Sequence, residues 1–174
     1  MVSISRVDRQ TFEKFVREYE KKIFNTIYRI VGHYEDAMDI SQTVFLKAYE
    51  KFDLYEPSRK FFSWLYRIAV NESINFIKYK KQTVTLGSNM ETQERTAEEQ
   101  LSQSVMADRL QDALGNLKLD YRIVIIMKYF LDLSYEQISQ ILEIPVKTVK
   151  SRLFTARELL KDTLIRRSSF KPDL

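Results

Sequence analysis

The sequence predicts an all-α protein, in which two small helical bundles are joined by a flexible linker and the second bundle contains a helix-turn-helix. Apolar residues recur at helical spacing through most of the chain. The 174 residues include only 3 Gly and 3 Pro, too few for the turns of a sheet protein. Residues 82 to about 96 lack this spacing and are rich in Thr, Gln and Glu, as extended linkers are.

Three helices are predicted before the linker, and together they form the first domain, residues 1–81. They span Arg9 to Val31, Tyr34 to Lys51 and Phe61 to about Lys80, with a connector at 52–60 that contains Pro57. The second helix should bury one apolar stripe, which consists of Ala37, Ile40, Val44 and Ala48.

The acidic linker occupies residues 82–97, and a second domain, residues 98–174, follows it. Its fourth helix carries apolar residues from Leu101 to Leu117, and its fifth runs from Tyr121 to about Phe130. From composition alone the linker is a solvated tether.

The most informative stretch is a pair of short helices after residue 133. Ser134 followed by Gln137 is a capping box, in which each side chain satisfies a backbone N–H of the first turn, so a helix should begin at Tyr135. A turn falls at 143–144, and Pro145 suits the first turn of the next helix. This layout predicts a DNA-binding helix-turn-helix.

The last helix has one apolar stripe and one polar, basic face. The stripe consists of Val149, Leu153, Ala156 and Leu160. The other face can enter a major groove, and it carries Lys147, Thr148, Lys150, Ser151, Arg152, Thr155 and Arg157. The alternative is an amphipathic hairpin whose charged face is merely solvated.

Composition excludes several function classes. The chain has no Cys, which excludes disulfides and thiolate chemistry, and its single His argues against a His-built metal site. No catalytic constellation is found, so we expect no metal, cofactor or small-molecule substrate. The net charge of +4 is uneven: residues 51–81 and 145–174 are basic and residues 82–120 are acidic, which suggests two separate contacts with a polyanion. Without a signal peptide or an apolar run of about 18 residues, a cytoplasmic location is expected.

Three segments in order resemble a known family, the extracytoplasmic-function (ECF, group IV) sigma factors of bacterial RNA polymerase. Residues 35–42, EDAMDISQ, look like the family's core-binding segment, and residues 62–71, FSWLYRIAVN, look like its minus-ten segment. Residues 134–157 look like its minus-35 module. The resemblance covers nearly the whole chain. It implies a transcription initiation factor whose partners are core RNA polymerase, promoter DNA and an anti-sigma factor, and it implies that the linker threads the RNA exit region.

The first segment places Asp36, Asp39 and Gln42 on one helical ridge. By resemblance this ridge binds the clamp helices of the largest polymerase subunit. The residues alone leave open a solvated helix face or, less favoured, a carboxylate pair for acid–base or metal chemistry.

The second segment combines aromatic rings with basic and amide side chains, which suits single-stranded DNA. By resemblance the loop at residues 55–60 forms one wall of a pocket for a flipped base. The residues expected to contact minus-ten DNA are Arg59, Lys60, Arg67, Asn71, Asn75 and Lys78. The alternative, that most rings are core, is favoured for Trp64, Leu65, Ile68 and Ala69.

In the last helix the family pattern brings a set of side chains to minus-35 DNA: Lys147, Thr148, Lys150, Ser151, Arg152, Phe154 and Arg157. Lys147 stands where the family often has Gly, and Thr155 stands where some members have Arg. The base preference therefore does not transfer. Arg166, Arg167 and Lys171 either add phosphate contacts or belong to an unordered tail.

Two other classes stay open at this point. A free-standing, dimeric helix-turn-helix regulator would bind a palindromic duplex without polymerase. A helical scaffold or small enzyme would need a catalytic constellation that the sequence does not show.

Overall fold

The computed structural model describes residues 9–52, 55, 61–85 and 105–168, and these contain helices and no strand. The helices are α1 (Arg9–Val31), α2 (Tyr34–Glu50), α3 (Phe61–Thr85), α4 (Val105–Gly115), α5 (Leu119–Ile125), α6 (Tyr135–Leu142) and α7 (Val146–Ser168). A five-residue π-helical turn, Ile126–Phe130, continues α5. The all-α prediction is confirmed, as is the helix-turn-helix at α6 and α7.

Helices α1, α2 and α3 form the amino-terminal bundle. Gly32 ends α1 with a positive φ of 80°, a left-handed conformation that glycine adopts without strain, and its N–H donates to the carbonyl of Tyr28 at 2.8 Å. The predicted stripe on α2 is buried in full and meets apolar residues from both neighbouring helices: Ile23, Ile27, Ile30, Leu65, Ala69 and Val70.

Several element boundaries differ from the prediction. α3 continues to Thr85, so the first four residues of the predicted linker are helical, and the rest of that linker lies outside the described residues. α4 begins at Val105, and Leu117 lies after its end, although it is buried. Residues 82–85 contain a single apolar residue, Val84, and so show no apolar stripe, but nothing in them forbids a helix from continuing one more turn.

The π-helical turn was not predicted. It is closed by a hydrogen bond from the N–H of Leu131 to the carbonyl of Ile126 at 3.3 Å, a five-residue step. Asp132, with φ of 50°, then reverses the chain. The surrounding run is almost wholly apolar, so its periodicity cannot separate a helical step of four residues from one of five.

The two bundles pack against each other at the carboxyl end of α1. The last carbonyls of a helix lack partners within it, and donors from the second bundle supply them here. The side-chain amide of Gln111 donates to the carbonyls of Tyr28 and Arg29, both at 3.3 Å, and the guanidinium of Arg122 donates to that of Ile30 at 2.5 Å. The buried residues of both bundles consequently form one continuous hydrophobic cluster.

Arg122 also holds its own bundle together. Its guanidinium donates to the carbonyls of Gly115 at 2.6 Å and Leu117 at 3.1 Å, which fixes the end of α4. Burial lowers the pKa of Arg122, but a guanidinium stays charged at any ordinary pH. A positive charge at the carboxyl end of α1 also matches the negative end of its helix dipole.

Two further contacts cross between the bundles. The guanidinium of Arg29 lies 3.8 Å from the ring centroid of Phe130, a cation–π contact between α1 and the π-helical turn. Arg67 of α3 forms an ion pair with Glu143, which caps the carboxyl end of α6.

We expect Arg122→Ala to lower the free energy of unfolding by about 2–4 kcal/mol, because three carbonyls lose a charged donor at once. Urea unfolding followed by circular dichroism measures this change. Arg122→Lys should recover little of the lost stability, since an ammonium group cannot reproduce the planar set of N–H donors of a guanidinium. Arg109→Ala, which removes an exposed arginine of α4, is the control, and an equal loss in both variants would contradict the assignment.

Candidate nucleic-acid interface

One of the three polar side chains predicted to form a ridge on α2 is already bound within the protein. Asp39 and Gln42 are exposed. Asp36 is only 23% exposed, and its carboxylate accepts a hydrogen bond from the ammonium of Lys80 at 2.8 Å and lies 3.7 Å from Nδ1 of His33. Asp36 therefore ties α2 to the last turns of α3.

Two exposed apolar side chains flank Gln42 on the same helix, and neither was predicted from the sequence to belong to the site. Met38 is 42% exposed and Leu46 is 59% exposed. Their spacing of four residues on either side of Gln42 puts them on one face. Large exposed apolar side chains beside a charged ridge are typical of a protein interface. Their exposure could have been predicted from the sequence, because Met38 and Leu46 fall outside the apolar stripe of α2.

The predicted minus-ten residues on α3 form one row. Asn71, Asn75 and Lys78 are exposed, and four-residue spacing places Arg67 on the same face. Arg67 is not free in this structure, because its guanidinium pairs with the carboxylate of Glu143. Two other predicted residues, Arg59 and Lys60, lie outside the described residues.

Most aromatic rings near the start of α3 pack on other rings. Phe61 stacks on Phe15 of α1 with ring centroids 4.3 Å apart. The ring centroids of Trp64 and Tyr55 lie 5.5 Å apart. Leu65 and Ala69 are buried, and Trp64 and Ile68 pack against the core, as predicted.

Tyr66 is one of the largest buried side chains on α3, and burial raises its pKa to about 12, so the phenol is neutral. Its ring centroid lies 4.4 Å from that of Phe62. These rings hold α3 in place and are not available to stack on a base.

The capping box and the turn of the helix-turn-helix are confirmed. The N–H of Gln137 donates to the hydroxyl of Ser134 at 3.1 Å, and the N–H of Ser134 donates to Oε1 of Gln137 at 2.8 Å. Glu143 has a left-handed conformation, φ 54° and ψ 41°. The carbonyl of Pro145 accepts from the N–H groups of Thr148 and Val149, so Pro145 precedes the first helical residue instead of being it.

Helix α7 presents the predicted basic face to solvent. Val149, Leu153 and Ala156 are buried on the opposite face. Of the polar face, Thr148 and Arg152 are half-buried, and the exposed side chains are Lys147, Lys150, Ser151, Phe154, Thr155 and Arg157.

Two of the predicted minus-35 residues have partners within the protein. Arg152 pairs with the carboxylate of Asp120 on α5 at 2.8 Å. A hydrogen bond with the exposed Tyr129 raises the pKa of Arg157. Both contacts brace α7 against α5 and its π-helical turn.

In the described part of the chain, no three His, Asp or Glu side chains lie close enough together to hold a metal ion. Among the same residues, every helix is too short or too polar to span a membrane.

Each of the two helical bundles matches a known protein family. A family model described as sigma-70 region 2 matches residues 15–83, and one described as sigma-70, region 4 matches residues 107–160. Relatives that are 30–34% identical over 92–94% of this chain are ECF RNA polymerase sigma factors. The chain belongs to this family. Its function is thus promoter-specific transcription initiation, and the dimeric regulator is not favoured.

Individual relatives align with this chain over almost their full length. The chain is 34% identical to the ECF RNA polymerase sigma factor SigW of Bacillus subtilis, over 92% of each chain. It is 30% identical to the ECF RNA polymerase sigma-E factor of Escherichia coli, over 94% of this chain and 93% of that protein.

Solved structures share the fold. The sigma factor RpoE in complex with the anti-sigma factor NepR from Bartonella quintana superposes with a TM-score of 0.78, at 22% identity, over 89% of this chain and 97% of that one. CnrH in complex with the cytosolic domain of CnrY gives a TM-score of 0.72, also at 22% identity, over 92% and 91% of the two chains.

We expect Asp36→Asn and Lys80→Met each to lower the free energy of unfolding by about 0.5–1 kcal/mol, because each breaks a partly exposed ion pair between α2 and α3. The double variant should lose less than the sum of the two, since the second change removes an interaction already absent. Thermal or urea unfolding of the three variants measures this coupling. Asp39→Asn is the control and should be neutral; strictly additive losses would rule out the pairing.

Proposed function

We propose that this sigma factor uses three separate surfaces: α2 for core RNA polymerase, the exposed row of α3 for the melted minus-ten strand, and the basic face of α7 for the minus-35 duplex. The observation that carries the proposal is that region 2 and region 4 occur in one chain and that each presents its predicted polar row to solvent. The first domain would extend to residue 85, because α3 continues to Thr85, and the second would span residues 98–174, with a linker at 86–97.

The polymerase surface combines charge with apolar area. Asp39 and Gln42 supply polar contacts that favour docking in one orientation, and Met38 and Leu46 supply apolar surface that gains from leaving water. Asp36 acts indirectly, since its ion pair with Lys80 orients α2 on α3.

The minus-ten surface acts on an unpaired strand. Asn71 and Asn75 each offer an amide that can donate to and accept from a base edge, and Lys78 can neutralise a phosphate. Arg59 and Lys60 of the preceding loop would join them. Extruding a base costs a few kcal/mol, which contacts from this surface must return.

Arg67 has to change partner before it can bind DNA. The ion pair with Glu143 joins the minus-ten helix to the turn of the minus-35 module. Each side chain is at least one-third exposed, so the pair contributes little stability and can open readily. Binding of a phosphate at Arg67 would release Glu143 and separate the two modules at this point.

The minus-35 surface is the outward face of α7. Lys147, Lys150 and Arg157 are placed for phosphates, and Ser151 and Phe154 for base edges. Arg152 positions the helix through Asp120.

The chain would have no catalytic site and no cofactor of its own, and the polymerase would perform the chemistry in the cytoplasm. Its relatives are transcription factors rather than enzymes. One similar structure holds the sigma factor RpoE bound to the anti-sigma factor NepR, and another holds CnrH bound to the cytosolic domain of CnrY. An anti-sigma factor is accordingly the third partner that we propose.

Asp39→Arg should lower affinity for bacterial core RNA polymerase by at least roughly thirtyfold, because it reverses the charge at the centre of the docking face. Co-elution by size exclusion, with circular dichroism to establish folding, measures the effect. Glu20→Arg, an equal charge change on the exposed side of α1, is the control. A wild-type protein that binds promoter duplex alone and never co-elutes with core enzyme would instead support the free-standing regulator.

Asn71→Ala should slow promoter opening roughly tenfold while core binding persists, because an exposed amide is lost from the strand-reading row. Permanganate reactivity of unpaired thymines in the reconstituted holoenzyme measures opening. Asn25→Ala, an exposed amide of α1, is the matched control. Normal opening by Asn71→Ala would remove this residue from the site, whereas loss of both opening and core binding would indicate misfolding.

A further inference from the structure

Tyr79 extends the exposed polar row of α3 by one more turn. It follows Asn75 by four residues, as Asn75 follows Asn71, so the three side chains share one helix face. Its side chain is 67% exposed, the highest value among the large hydrophobic side chains described on this helix.

Tyr79 differs from the other rings of α3 in what surrounds it. Phe61 stacks on Phe15, Phe62 lies at a tilt against Tyr66, and Phe76 packs against the core. Leaving a whole phenol ring in water forgoes the stabilisation that burial would give. Tyr79 is therefore the described ring of α3 that has a free face for an external partner.

The helix is anchored where Tyr79 emerges. The neighbouring Lys80 is fixed to Asp36 of α2 at 2.8 Å. The hydroxyl of Thr83 donates to the carbonyls of Tyr79 and Lys80, at 3.3 and 2.9 Å, which reinforces the same turn. A ring on an anchored turn loses little conformational entropy when it binds a flat partner.

The charge beside Tyr79 favours a polyanion over a protein groove. Lys78, which follows Asn75 by three residues, is exposed beside Tyr79. Cationic side chains that track a backbone, together with an aromatic face on which a base can stack, are the usual elements of a single-strand binding site.

We propose that Tyr79 is a stacking platform for an unpaired base of the melted promoter strand, and that it adds affinity without selecting the base. Eight residues of α-helix separate it from Asn71, a rise of about 12 Å. An unpaired strand can extend beyond the rise of about 3.4 Å per nucleotide of a duplex strand, so the stacked base lies within about four nucleotides of the one that Asn71 contacts. This inference rests on the proposed function, because it requires α3 to face melted DNA.

The experiment uses holoenzyme reconstituted from the full chain and bacterial core RNA polymerase. The probe is a fluorescein-labelled duplex with a 12-nucleotide unpaired bubble, its sequence selected from a random pool by the wild-type holoenzyme. Tyr79→Ala should weaken binding roughly five- to hundredfold, the range for loss of one base stack, while Tyr79→Phe should stay within about twofold of wild type. Exchanging, one at a time, the bases within about four nucleotides of the Asn71 contact should leave the loss of affinity caused by Tyr79→Ala unchanged.

Three further measurements separate this inference from the proposed function. Leu159→Ala removes a large exposed apolar side chain that belongs to none of the three proposed surfaces, and it should leave bubble binding unchanged. Weaker binding by Asn71→Ala together with normal binding by Tyr79→Ala would overturn the stacking role alone. Normal binding by both would overturn the minus-ten role of α3 as well. A loss of affinity for core polymerase in Tyr79→Ala would show a protein contact and would also overturn the inference.

Discussion

The capping of α1 by the second bundle is the constraint on which the arrangement of the whole molecule depends. The carboxyl end of any helix leaves carbonyls without partners, and a buried one must find donors. Here Gln111 and Arg122 bring those donors from α4 and α5. The same guanidinium closes the end of α4, so one side chain sets both the fold of the second bundle and its place on the first. Oε1 of Gln111 and Nε of Arg122 stay buried without a partner, which makes this junction easier to open than a fully satisfied one.

Several charged side chains that could bind a partner are held by the protein itself. Arg67 pairs with Glu143, Arg152 with Asp120, and Lys80 with Asp36. Such pairs are weak in water, so they orient a side chain without preventing exchange for a phosphate or a partner carboxylate. Glu143 is the clearest example. It occupies a left-handed cap where glycine is favoured, and a glycine there would have no carboxylate to offer Arg67.

Much of the candidate site could be predicted from the sequence, because it depends on local pattern. The capping box at Ser134 involves residues three apart, and the polar row of α3 follows from helical spacing alone. Four residues were missed: Met38, Leu46, Tyr79 and Glu143. The first three are apolar residues whose exposure depends on which faces the neighbouring helices cover. The role of Glu143 depends on Arg67, a residue 76 positions away that sequence pattern cannot bring to it.

By itself, the sequence determined the helices, the buried stripe of α2, the helix-turn-helix and the family, because each is encoded by spacing within a few turns or by the order of local motifs. Only the tertiary structure decided how the two bundles meet, where the π-helical turn falls and which charges are already paired. These features rest on contacts between residues distant in the chain, such as Arg122 with Ile30. A pattern along one helix records which face is apolar, but not which other helix covers it.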